Sequence, residues 1–135
     1  MEKIKQFFST NDQFAKHTGL ELLEADKGYA RVKMAIQDYH LNGVKTVHGG
    51  AIFTLADFAL AVASNSHGRI AMGVNGNISY MKAVSAGALF AEARETSLNH
   101  KLGHYLVNIY DENHTLIAVF QGMVYRKEAQ LAFEN

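Results

Sequence analysis

The sequence has no cysteine, which removes a disulfide framework, thiolate catalysis and cysteine-ligated zinc at once. Any nucleophile is therefore oxygen-based. There is no surplus of charge: 13 basic residues balance 13 acidic ones. No net field draws such a chain to nucleic acid or to an anionic membrane, although a local group of cations can still hold a phosphate. Proline is absent too, which decides nothing about function. Long apolar runs are missing: the stretch from Gly50 to Ala63, broken by Asp57, is too short to span a bilayer and fits a buried core helix. The start, MEKIKQFFSTND, has no apolar run of secretion-signal length, so a cytoplasmic location is expected.

What remains is a chain of 135 residues, 48% hydrophobic, the size of one globular domain with a single core. Ile4, Phe7 and Phe8 lie at helical spacing, and Thr10 with Gln13 can form a capping box for a second short turn ending near Gly19. Residues 1–18 are thus read as a helical lead-in. Leu20 to Ala25 and Tyr29 to Ile36, separated by Asp26-Lys27-Gly28, read as a hairpin. After a polar connector, Gln37 to Thr46, one long helix is predicted from Gly49-Gly50 to about Ser66. Strands follow at Ile70 to Met81, Ala88 to Leu98, His104 to Asp111 and Thr115 to Tyr125, leaving 127–135 as a tail. Strands in succession without helices between them imply antiparallel pairing and an α+β fold. The last strand is apolar on both alternating faces, which calls for a second layer outside it, most simply another copy of the chain.

From Val47 to Gly68, Asp57 is the only formally charged residue. A carboxylate on a helix with so little polar surface is costly unless something uses it. At the start of that helix, His48-Gly49-Gly50 presents unpaired N–H groups and the positive end of the helix dipole, a place for a carbonyl or oxyanion. Gly49 and Asp57 are roughly 12 Å apart along one helix, too far to act on one carbonyl carbon. If two chains pack with these helices antiparallel, the Gly49 end of one faces Asp57 of the other.

The segment LNGVKTVHGGAIFTLADFALAVASNS, followed by GVNGNISYMKAV, resembles the hotdog-fold acyl-CoA thioesterases, within them the phenylacetate-degradation branch. The most specific part is HGG with an aspartate seven residues after the second glycine. The resemblance implies a long helix wrapped by an antiparallel sheet, a homodimer or dimer of dimers, and hydrolysis of an acyl- or aryl-acyl-CoA thioester in a cleft between subunits. It implies that Asp57 is general base or nucleophile, that Gly49 supplies an N–H to the thioester carbonyl, and that His48 and Asn42 line the site and position thioester or water. Gly50, Phe53, Phe58, Gly73, Asn75, Lys82 and Lys101 are the candidate substrate contacts. Gly73 stands where some relatives carry a serine thought to place the water, and Ala83 where a proline is usual. No metal is expected, and no cofactor beyond the coenzyme A of the substrate itself.

Other residues compete for attention. Lys82, Lys101 and Arg126 could meet the coenzyme phosphates, or be solvated cations at strand ends. His100 and His104 have metal-like spacing but flank a predicted turn. Beside a helix N-terminus, His48 suits a neutral hydrogen-bonding role better than a proton shuttle. Phe7, Phe8, Phe14, Phe53 and Phe58 could line an acyl pocket or fill the core. Asp57 could instead pair with Arg94, which would leave an acyl-CoA-binding protein without catalysis. His48 with Asp57 could also serve a hydratase or dehydratase of acyl thioesters.

Overall fold

In the computed structural model, which describes residues 1–133, two short helices open the chain, α1 (Glu2–Asn11) and α2 (Gln13–Thr18). Their boundary differs from the predicted one. Thr10 lies inside α1, and α2 is capped by Asp12, whose side chain accepts the Ala15 N–H at 3.0 Å. Asp is as good a cap as Thr and sits directly before the first helical residue. Gly19 ends α2 at φ 80, a left-handed conformation that glycine adopts without the steric cost of a Cβ.

The strands are β1 (Leu20–Asp26), β2 (Tyr29–Ala35), β3 (Arg69–Tyr80), β4 (Ala88–Leu98), β5 (Leu102–Tyr110) and β6 (Leu116–Gln130), with α3 (Gly49–Asn65) between β2 and β3. They form one antiparallel sheet in the order β1-β2-β4-β5-β6-β3. β3 is last in the row, so one of its edges has no strand beside it. The predicted tail at 127–135 is, as far as Gln130, the end of β6. It continues because β3 runs alongside to Arg69, which pairs with Gln130. The last two tail residues, Glu134 and Asn135, lie outside the described residues.

Alternation along the strands places Val32, Leu89, Ala91, Val107, Ile109 and Ala118 on the inner face, all at 0% exposure, against Leu55, Ala56, Ala59 and Val62 of α3. This is the core, and the sheet curls around the helix to make it. Two glycines let the sheet come close: a Cβ on Gly122 would meet Leu60 at 2.8 Å, and one on Gly76 would meet Phe120 at 3.1 Å. β6 is less uniform than its sequence. Ala118, Phe120 and Val124 are buried, while Val119 and Met123 on the outer face are half-buried and Gln121 between them is exposed. No helix among the described residues is long and apolar enough to cross a membrane.

Along α3 the burial is one-sided in a way that an all-apolar sequence hides. Ten of its residues are buried, but Gly50, Phe53, Thr54, Asp57 and Ala61 are exposed or half-exposed. Steps of three and four put these on one stripe. That stripe is the uncovered side of the helix.

Candidate active site

The start of α3 is built by His48. Its Nδ1 accepts the Gly50 N–H at 2.8 Å, and its carbonyl accepts from Ala51 and Ile52 at 2.9 and 3.2 Å. The bond to Gly50 requires the Nδ1 lone pair, so the ring hydrogen is on Nε2 and the imidazole is neutral. With those donors satisfied, the Gly49 N–H has no acceptor among the described residues. The Gly49 carbonyl is held from the other side by the Tyr80 hydroxyl, which donates to it at 2.9 Å.

Eight residues further along α3, on its uncovered stripe, Asp57 has neither a hydrogen-bond nor an ion-pair partner among the described residues. The pairing with Arg94 does not occur: Arg94 contacts Glu92 at 3.4 Å and lies over the ring of Tyr29. The Asp57 carboxylate reaches solvent, yet surrounding protein withdraws enough water to raise its pKa above the ordinary value, and the like charge of Asp12 raises it further. Gly73 on β3 lies beside it. A Cβ there would be 4.0 Å from Asp57 Oδ1, so the missing side chain leaves space next to the carboxylate.

Beside the start of α3 opens a cleft of about 730 Å³, within the range of small-molecule sites. Phe14, His17 and Thr18 of α2 wall one side, Tyr39, His40 and Leu41 of the connector close it, and Gly50, Ala51 and Thr54 of α3 form the floor. A hollow of about 310 Å³ on the other flank of Gly49 is lined by Tyr80, Met81, Lys82 and Val84 among others.

Asp57, Gly73, Gly49, Gly50, His48 and Lys82 therefore gather along α3 and its flanks. The other candidates do not. Asn42 is bound into its own loop, its Oδ1 accepting from Val44 and Thr46 at 3.0 and 3.1 Å while its amide donates to Thr46 at 2.8 Å. Phe58 is a core residue, 5% exposed with its ring edge-on to Phe8 of α1. Phe53 is half-buried, edge-on to Phe120. Asn75 follows an irregularity in β3 and lines a separate polar hollow with Asn77, His104 and Gln121. Lys101 sits in the β4–β5 turn, at the far end of an eleven-residue strand and so roughly 35 Å from its Ala88 end. There its carbonyl accepts from the Arg126 backbone, and Arg126 Nη1 donates to Asn99, so Arg126 fastens the turn. His100 and His104 turn to different partners, Glu128 and Thr96.

Residues 44–118 match the thioesterase superfamily, more than half of the chain and all of α3. The chain belongs to the thioesterase superfamily. It is a thioesterase on the hotdog fold. A relative from Archaeoglobus fulgidus, whose esterase name is provisional, is 42% identical over 127 residues, covering 93% of this chain and 82% of its own. The acyl-coenzyme A thioesterase PaaI of Escherichia coli is 34% identical over 117 residues, 86% of this chain and 84% of that protein. The solved structure of the Escherichia coli PaaI protein superposes with a TM-score of 0.92 at 31% identity, over 97% of this chain and 98% of that one. A mutant of the phenylacetic acid degradation protein PaaI of Thermus thermophilus gives 0.81 at 34% identity, over 84% and 98%.

Sequence reasoning missed His40, Tyr39, Tyr80 and Asp12. His40 is 3% exposed, and its Nε2 lies 2.6 Å from the Thr18 carbonyl while Nδ1 accepts from Gln37. It ties the end of α2 to the connector. No spacing in the sequence signals these positions, because each depends on a loop, a lead-in helix or, for Tyr80, the end of β3 coming onto α3.

Proposed function

We propose that the thioesterase hydrolyses an acyl- or aryl-acyl-CoA thioester at a site completed by a second copy of the chain. The observation that carries this reading is that an open donor, the Gly49 N–H, stands at the start of α3 and an unpartnered carboxylate, Asp57, on the uncovered stripe of the same helix. They are too far apart for one carbonyl within a single chain, and antiparallel pairing of two α3 helices brings each to the other. The lone edge of β3 supports such pairing. Met72 and Val74 on it are 53% and 59% exposed, and an unpaired edge with apolar side chains is what a second copy covers.

In this arrangement the Gly49 N–H of one copy donates to the thioester oxygen, where negative charge grows as the carbonyl carbon becomes tetrahedral. Asp57 of the partner takes a proton from water as the water oxygen bonds to that carbon. Collapse of the intermediate breaks the carbon–sulfur bond. The thiol leaves with the proton that Asp57 held, and the free acid remains. The cleft beside Gly50 and Thr54 receives the acyl group, and the hollow by Lys82 receives part of the coenzyme. The acyl-CoA thioesterase name of the Escherichia coli relative points to the same substrate class.

Hydration of an unsaturated thioester would need His48 as a proton carrier, but its Nδ1 is engaged by Gly50. A panel of acyl- and aryl-acyl-CoA substrates, read by thiol release beside an assay of crotonyl-CoA hydration, tests the reading. Thiol release that needs Asp57 supports it. Hydration without release, or no turnover across the panel, overturns it.

A further inference from the structure

We propose that Phe14 and Tyr39 are specificity-determining residues: they wall the acyl end of the cleft and favour thioesters whose acyl group is long enough to reach them. This rests on the reading of the cleft as the acyl-binding part of a thioester site.

The two residues belong to different elements and are exposed in the same inverted way. Steps of three and four put Phe14, His17 and Thr18 on one face of α2, and that face lines the cleft. α2 buries Ala15, at 4% exposure, and leaves Phe14 at 65%. The short turn Asp38–His40 of the connector buries the polar His40, at 3%, and leaves Tyr39 at 68%. Burial of apolar area favours the opposite choice in both elements. Aromatic side chains left in water on two walls of one cleft are what a ligand covers. Tyr39 is also held in place. Its ring meets His40 edge-on with centroids 4.5 Å apart, and its hydroxyl lies 3.0 Å from where a Cβ on Gly19 would stand, so the glycine leaves it room.

The cleft joins the start of α3, because His48 and Gly50 line it together with Phe14 and Tyr39. Its direction follows from two bonds. His40 binds the Thr18 carbonyl at 2.6 Å, and its own carbonyl accepts the His48 N–H at 2.7 Å, so α2 ends where α3 begins. Phe14, one turn back along α2, lines the same cleft as Thr54, one turn past Gly50. From Gly49 to Thr54 the helix rises roughly 7–8 Å, a span that an octanoyl group covers and an acetyl group does not. The threonines do not make this wall polar: Thr18 Oγ1 donates to the Phe14 carbonyl and Thr54 Oγ1 to the Gly50 carbonyl, both at 2.8 Å. An apolar acyl body therefore displaces no hydrogen bond of theirs and gains contact with two aromatic rings.

Phe14→Ala and Tyr39→Ala, made singly in the full-length chain, alter exposed positions and open no core cavity. Two ratios are read for octanoyl-CoA against acetyl-CoA: kcat/KM by thiol release, and the affinity of the non-hydrolysable thioether analogues of the two esters by calorimetry. The unsubstituted protein is expected to favour octanoyl, and each variant to lower both ratios by roughly tenfold. Phe14→Leu and Tyr39→Leu serve where an Ala variant does not fold, with a smaller fall in the same direction. No octanoyl preference in the unsubstituted protein, or a folded variant that keeps both ratios, overturns the proposal. So does a variant whose assembly mass by light scattering falls while the ratios stay, because a second copy then covers the rings. If the unsubstituted protein releases thiol from neither ester, it is the catalytic reading that fails, and the affinity ratio still decides what the two rings do.

Discussion

The Tyr80 hydroxyl donates to the Gly49 carbonyl at 2.9 Å, and a Cβ on Gly49 would stand 3.1 Å from the Tyr80 ring. β3 thereby fixes the first peptide of α3 while leaving no room for a side chain on it. Gly49→Ala must push either the ring or the peptide aside, which displaces the N–H proposed to bind the thioester oxygen. We expect turnover to fall by roughly tenfold or more, because a misplaced oxyanion donor loses much of its stabilisation. The melting temperature should change little, since the ring is half-exposed and can yield. Steady-state kinetics and a thermal melt check both parts.

Asp57→Asn is expected to lower thioester hydrolysis by roughly 10²- to 10⁴-fold, the range for loss of a positioned base, without loss of stability. The sign follows from the direction of the shift. A folded-state pKa above the ordinary value means that the native state binds the proton more tightly than the unfolded chain. Stability therefore falls as pH rises through the interval between the two values, and the ionised form weakens the fold at neutral pH. Removing the charge relieves that. A variant that melts clearly lower at pH 7 would show that Asp57 has a structural partner after all.

At the opposite end of α3, Glu95 Oε1 accepts from the fully buried Tyr105 at 2.6 Å and lies 2.8 Å from His67 Nε2. Burial alone would raise the Glu95 pKa, but hydrogen bonds from Tyr105 and His67, with the charges of His67 and Arg126, bring it below the ordinary glutamate value of about 4.5. The pair of states has the opposite sign to Asp57. The unfolded chain binds the proton more tightly, so this contribution is present above about 4.5 and is lost as pH falls through the lower folded value. Glu95→Ala leaves the Tyr105 hydroxyl without its acceptor and is expected to cost about 1–3 kcal/mol at neutral pH. Denaturant unfolding at pH 7 and at pH 3 should show a smaller acid-induced loss in the variant than in the parent.

Where local chemistry decides, the sequence was readable. The Gly49-Gly50 start of α3 was read to the residue, and β4 was bounded correctly at Ala88 and Leu98, because turns and periodicity are encoded nearby. Asp57 stood out for the same reason, as a lone charge in an apolar run. What escaped depends on distant parts meeting. Thr10 and Asp12 are equivalent caps on paper, and in the fold it is Asp12 that caps α2 while Thr10 lies inside α1. Phe14 and Phe58 are alike in composition, yet one is 65% exposed at the cleft and the other is in the core. Asn42 was placed in the site by the resemblance alone, and what its neighbours could not announce is that its loop binds it, its Oδ1 accepting from Val44 and Thr46 while one amide N–H goes to Thr46. An apolar helix hides its open face until the sheet has covered the rest.

Two defective copies provide the sharpest test of a shared site. Asp57→Asn and Gly49→Ala chains, each nearly inactive alone, are unfolded together, refolded and assayed. In a mixed dimer one site combines the intact Gly49 of the first chain with the intact Asp57 of the second, and the other site carries both lesions. Random reassortment makes half of the dimers mixed, each with one working site of two, so activity should recover to about one quarter of the unsubstituted level. If Gly49 and Asp57 served one substrate within the same chain, every site in the mixture would carry a lesion and no recovery would follow. Size-exclusion chromatography with light scattering on the same samples distinguishes that outcome from a failure to reassociate.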